Sequence, residues 1–281
     1  MSETHQDPFA DRELGVATTE SLRKMLRTFS LEVLKQYPKV VDILSATERL
    51  ARFPSGLGVE FDANYGGLQA VTSVYGSPGT GKSQFAMACA LENVMDDACV
   101  VYFDAENHCG EQRERASRWF GGEAQLLAAG SRIVRNLNWC TIDNEHNWDT
   151  MLALASQRVL HSHKRVLMIL DSVQSIADEI APGNMLGVTA SLYSAMNRLA
   201  RRSDGRICFL VLSEANKEGG LKGGAGSYRA SMVLKIEPQP DMGKDLFEIS
   251  ILKNRTGRTP GSLGAFEMQW WKSRFARVEF Q

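Results

Sequence analysis

Gly76-Ser77-Pro78-Gly79-Thr80-Gly81-Lys82-Ser83 follows the apolar run Ala70 to Tyr75 and opens an amphipathic stretch, Gln84 to Val94. This is the spacing G-x-x-x-x-G-K-[ST] in a strand-to-helix setting, where the motif is specific for a nucleotide phosphate cradle. The glycines let the backbone turn its N–H groups inward onto a phosphate, and the positive end of the next helix favours the same anion. Lys82 is expected to bridge the β- and γ-phosphates of ATP, and the Ser83 hydroxyl to coordinate Mg2+. The whole stretch, Gly76 to Ser83, is therefore the expected nucleotide site.

Outward from that motif, short apolar runs alternate with longer amphipathic segments, the signature of βα units and a parallel sheet. Strands are expected at Ala70 to Tyr75, Cys99 to Phe103, Val166 to Leu170, Ile207 to Leu212, Met232 to Ile236 and Phe247 to Leu252. Val166-Leu167-Met168-Ile169-Leu170 is apolar throughout, as a parallel strand covered on both faces should be. The fold class is α/β: a P-loop core with a mainly parallel central sheet flanked by helices. Upstream, two helices separated at Pro38 are expected. Leu22, Met25, Leu26 and Phe29 give the first an apolar face, and Val40, Val41, Ile43 and Leu44 the second. The chain thus divides into a short N-terminal helical arm or linker, 1–51, and an α/β domain, 52–281.

A magnesium-bound triphosphate needs a carboxylate at the end of a neighbouring strand. Asp171 ends the Val166 run and fills that place, although an aspartate there also suits a helix cap. Hydrolysis needs a further group to polarise water. Asp104 and Glu106 follow the Cys99 strand at the carboxyl edge, where ligands of open α/β sheets bind. The two carboxylates are expected to point to opposite sides.

Bulk composition narrows the partners. Lys and Arg number 32 against 33 Asp and Glu, so any nucleic-acid surface must be local. Five scattered cysteines suggest neither a disulfide framework nor a zinc cluster, and a reducing cytoplasm is the natural setting. His108, His161 and His163 show no metal-ligand spacing. Met1 to Asp11 lacks the apolar stretch of a signal peptide, and no run is long enough to span a membrane. A soluble, cytoplasmic protein is expected.

The strand ending Phe103-Asp104-Ala105-Glu106 and the Leu170-Asp171-Ser172-Val173 segment resemble bacterial RecA, a resemblance that implies Glu106 as the carboxylate activating water. Ser213-Glu214-Ala215-Asn216-Lys217-Glu218-Gly219 and Leu252-Lys253-Asn254-Arg255-Thr256-Gly257 resemble the ATPase core of bacterial RadA, with KaiC and DnaB-like relatives, and Phe53-Pro54-Ser55-Gly56-Leu57-Gly58-Val59-Glu60-Phe61-Asp62 resembles the lead-in shared by RadA, KaiC and the archaeal recombinases. The resemblance covers roughly residues 52 to 268. RadA's four-cysteine zinc motif and protease-like domain have no counterpart here. Thr256 stands where RadA has Phe, and Glu214 stands where RecA has a glutamine that couples nucleotide to DNA.

The resemblance implies a homo-oligomer, a hexameric ring or helical filament, with ATP sites between protomers. Lys253 and Arg255 would reach the neighbour's γ-phosphate; the plainer reading is a solvated basic strand end. Gly219-Gly220-Leu221-Lys222-Gly223-Gly224-Ala225-Gly226 is either a surface loop or, by its place in the family, the second DNA-binding loop. Lys217, Lys222 and Arg229 would then contact single-stranded DNA. The stretch between Asp178 and Val188 is the candidate first loop. The implied activity is DNA-dependent ATP hydrolysis in recombination, repair or replication, the alternative being a KaiC-like regulatory ATPase acting on a protein partner.

Overall fold

The structure is a computed structural model that describes residues 53–141, 165–180, 183–203, 205–215, 228–255 and 261–278. The expected N-terminal arm, Lys217 and Lys222 lie outside the described residues. From Phe53 the order is α1 (Val59–Tyr65), β1 (Val71–Gly76), α2 (Lys82–Met95), β2 (Cys99–Asp104), α3 (Cys109–Phe120), α4 (Glu123–Ala128), α5 (Gly130–Asn136) and β3 (Leu137–Thr141). There follow β4 (Val166–Asp171), α6 (Val173–Ile180), α7 (Met185–Arg202), β5 (Ile207–Glu214), β6 (Met232–Pro238), β7 (Leu246–Asn254), β8 (Gly261–Gln269), a 3-10 turn (Trp270–Lys272) and β9 (Arg274–Arg277).

The strands form one sheet in the order β3-β2-β4-β5-β1-β6-β7-β8-β9. β3 to β6 in that order are parallel, and β7, β8 and β9 continue antiparallel. The six expected strands all form, each within two residues of its expected ends.

Period-two alternation sends successive side chains to opposite faces, and both faces are covered. Val101, Phe103, Met168 and Leu170 meet α6 and α7 through Val173, Ile176, Leu192 and Met196. Val100, Tyr102, Leu167 and Ile169 meet α2 through Phe85, Leu91 and Val94. α2 is buried nearly all round, because the β8–β9 hairpin folds over its outer side. The Phe85 and Phe275 ring centroids lie 6.4 Å apart. Gly81 joins this packing: its φ is +81°, and an added Cβ would lie 2.5 Å from Met268 Cε. The left-handed backbone favours glycine there, and a side chain would also have to displace the Met268 methyl.

Between Asp178 and Val188 the structure differs from expectation. α6 runs to Ile180 and α7 starts at Met185, which leaves only 181–184 between them. The buried Ile176 and Ala177 hold the first helix on the sheet, and Val188 and Leu192 hold the second.

Candidate functional site

Parallel register brings four strand ends to one edge. Asp104 pairs with Asp171 across β2 and β4, and Gly76 pairs with Glu214 across β1 and β5. The loop from Gly76 to Ser83 leaves this edge and enters α2. Lys82 Nζ donates to the carbonyls of Gly76 at 2.9 Å and Ser77 at 2.8 Å. Thr80 Oγ1 donates to Ser77 O at 2.9 Å and closes the turn. Burial pushes the Lys82 pKa down, while Asp171, Glu214 and Glu106 pull it back up. The ammonium is thus partly stripped of water and faces three carboxylates, so phosphate oxygens are favourable partners for it.

Asp171 is buried, and its Oδ2 accepts from Tyr102 OH at 2.8 Å. Burial raises its pKa from 3.8 to about 6, the nearby Asp104 adds to the rise, and hydrogen bonds from Tyr102 and the Ser83 hydroxyl oppose it. A hydroxyl and a desolvated carboxylate in hydrogen-bond reach of one another are hard oxygen donors that fit Mg2+, the remaining ligands being water and phosphate. Magnesium, when bound there, would neutralise charge on the triphosphate oxygens.

Asp104 and Glu106 separate in the structure, but not through strand alternation, which would put positions two apart on one face. β2 ends at Asp104, whose buried side chain turns back to order the following loop. Asp104 Oδ1 accepts the N–H groups of Glu106 at 3.0 Å and Asn107 at 2.9 Å and the Asn107 amide at 3.0 Å. Its Oδ2 accepts from Gln112 Nε2. Glu106 lies exposed beyond this turn. Its Oε1 accepts from Ser172 Oγ at 2.7 Å and Ser175 Oγ at 2.8 Å. With Oδ1 engaged in the local turn and Oδ2 by Gln112 of α3, Asp104 orders the loop, and Glu106 is the carboxylate left exposed at the edge.

Lys253 and Arg255 share a direction: Lys253 Nζ and Arg255 Nη2 donate to Tyr228 O at 2.6 and 3.1 Å. They sit at the other end of the sheet. Arg255 N–H bonds Ser231 O, and Ser231 N–H bonds Val71 O at the start of β1. From Val71 to Gly76 the strand rises about 16 Å, at about 3.3 Å per residue, which exceeds the reach of an arginine. Arg255 is therefore remote from the phosphate loop of its own chain. Arg229 is also at that end, its Nη1 donating to Ala190 O on α7 at 3.2 Å.

Sequence reasoning missed the groups that hold these carboxylates. Tyr102 follows from counting alternate positions in β2, which put it on the α2 face beneath Asp171. Gln112 and Asn107 carry no motif, and Ser175 is recognisable only from its place one turn into a helix that begins beside Asp171.

No family model matches the chain. Curated relatives do. It is 28% identical over 244 residues to the DNA repair protein RadA of Helicobacter pylori strain J99, a match covering 84% of this chain and 49% of the relative. RadA of strain 26695 is 27% identical over 265 residues, covering 92% of this chain and 53% of the relative. The chain thus spans about half the length of these relatives. The Gene 65 protein of Mycobacterium phage D29 is 26% identical over 214 residues, covering 67% of this chain and 90% of that protein.

Among solved structures, an isolated ATPase domain superposes with a TM-score of 0.66 at 18% identity, covering 84% of this chain and 95% of that one. A DnaB-like replicative helicase studied with primase gives 0.66 at 16% identity, covering 93% and 77%. A KaiC-like protein from Pyrococcus horikoshii gives 0.62 at 17% identity, covering 82% and 100%. The sheet order, the phosphate loop at its carboxyl edge and these likenesses show a RecA-like fold that carries a P-loop. In sequence the chain is similar to RadA, as its Ser213-Glu214 and Lys253-Asn254-Arg255 segments lead one to expect.

Proposed function

We propose that the chain hydrolyses MgATP at sites shared between protomers of a homo-oligomer, a hexameric ring or helical filament, and couples that hydrolysis to single-stranded DNA in repair, recombination or replication. The observation that carries the reading is the split of charged groups between the two ends of the sheet. Lys82, Ser83, Asp171 and Glu106 gather at the carboxyl edge, while Lys253 and Arg255 point from the opposite end. Lys82 binds the β- and γ-phosphates, Ser83 and Asp171 hold magnesium, and Glu106 orients and deprotonates water. Arg255, with Lys253, meets the γ-phosphate of the neighbour's nucleotide. Charge supplied from a second chain makes turnover depend on assembly.

Single-stranded DNA is favoured by the relatives, which include a protein named for DNA repair and a replicative helicase. Lys217, Lys222 and Arg229 are its proposed contacts. No described helix is long and apolar enough to cross a membrane; a cytoplasmic setting is part of the proposal. The near-neutral charge and the likeness to a KaiC-like protein favour a second reading, a regulatory ATPase acting on a protein partner. ATP turnover measured with and without single-stranded DNA separates them. Stimulation that weakens as salt rises supports the first, and turnover indifferent to DNA supports the second.

A further inference from the structure

Glu106 is an exposed side chain within the loop that joins β2 to α3, yet a water-activating carboxylate must be held in one orientation to be effective. A free glutamate rotates about three side-chain bonds, and ordering it costs conformational entropy. Two hydroxyls meet its Oε1: Ser172 Oγ at 2.7 Å and Ser175 Oγ at 2.8 Å. They also meet each other at 2.8 Å. The ionised carboxylate only accepts, and the two hydroxyls hold two protons among three contacts. Whether both donate to Oε1 or one relays through the other, Oε1 receives at least one O–H bond. Oε2 has no donor among the described residues.

The supports of these serines are rigid. Ser172 is buried immediately after Asp171, and Ser175 lies in the first turn of α6, beside the buried Val173 and Ile176. Asp104 grips the other end, holding the Glu106 N–H at 3.0 Å. Glu106 is thus held at its backbone from β2 and at its carboxylate from β4 and α6.

We propose that Ser172 and Ser175 are positioning residues for ATP hydrolysis, fixing Glu106 through Oε1 so that Oε2 is presented to the attacking water. The inference rests on the assignment of Glu106 as the water-activating group. No bond is made or broken at either serine. Ser175 is the informative position, because its partly exposed hydroxyl can be removed without opening the core.

Steady-state MgATP turnover of the full chain tests this with Ser175→Ala, Ser175→Thr, Glu106→Gln and the Glu106→Gln/Ser175→Ala double variant. Ser175→Ala is expected to lower kcat about tenfold with KM within about twofold of wild type, the mark of an interaction that serves the chemical step. Ser175→Thr, which restores a hydroxyl, should recover most of the loss. In the Glu106→Gln background the serine change should have little further effect, since the group it positions is already disabled. An unchanged kcat in Ser175→Ala, a loss that Thr does not recover, or an equal further loss in the double variant would overturn the positioning role. Full turnover in Glu106→Gln would instead overturn the assignment of Glu106 itself.

Discussion

Asp171→Asn should make the nucleotide-free protein more stable at neutral pH, although the residue serves its function as a carboxylate. Burial, with Asp104 close by, raises the Asp171 pKa from 3.8 to about 6. Between those two values the folded chain binds a proton that the unfolded chain has released, so stability falls as pH rises through this window and stays low above it. The rise of about two units corresponds to about 3 kcal/mol at neutral pH. Asparagine removes the charge and keeps an oxygen to accept from Tyr102 OH, the 2.8 Å bond of the native site. Thermal melts in the absence of nucleotide and magnesium are the assay. At pH 7.5 the variant should melt higher by up to about 10 °C, as about 3 kcal/mol implies for a domain of this size. Near pH 4 the two proteins should melt together. Equal melting at both pH values, or a variant less stable at pH 7.5, would refute the claim that Asp171 is held charged against a desolvation cost. That cost would be the reservoir from which magnesium affinity is drawn.

Other outcomes follow from the same geometry. Lys82→Ala should fold and lose nearly all nucleotide affinity in equilibrium binding, because among the described residues its amine bonds carbonyls of the phosphate loop and takes no part in the core. Glu106→Gln should bind MgATP normally and turn it over on the order of 10²-fold or more slowly, read by single-turnover kinetics. Gly81→Ala should lower stability by about 1–2 kcal/mol through its left-handed backbone, since Met268 Cε is the movable end of a flexible side chain. Replacing Lys217, Lys222 and Arg229 together by Ala should weaken single-stranded DNA binding and flatten its salt dependence, with DNA-free turnover retained, as titrations at several salt concentrations would show.

The inner parallel strands are legible in the sequence because they are buried on both faces and spell continuous apolar runs, as Val166 to Leu170 does. β3, β8 and β9 are not. Leu137-Asn138-Trp139-Cys140-Thr141 lies at a sheet edge and mixes polar with apolar residues. Gly261 to Gln269 carries two glycines and pairs only antiparallel, so neither presents such a run. The phosphate loop is legible because its chemistry is local in sequence. The choice of Glu106 over Asp104 comes from resemblance, and its physical basis is long-range. Asp104 is occupied by Gln112 eight residues on, and Glu106 is met by serines 66 and 69 residues away. Contacts at that separation leave no periodic mark. The remoteness of Arg255 from its own phosphate loop is equally hidden, because it depends on β6 pairing with β1 in parallel and β7 returning antiparallel.

An Arg255 so remote from its own phosphate loop can serve only a site completed by a second chain, which mixing two inactive variants tests. Arg255→Ala keeps an intact phosphate loop, and Lys82→Ala keeps an intact Arg255, so only an interface joining one of each is whole. A trans-acting arginine is worth on the order of 10³-fold in rate, so a minority of restored interfaces is enough to read. Turnover of the mixture, with subunit exchange verified by sizing, should exceed that of either variant alone; mixed assemblies that form and show no gain would contradict the shared site.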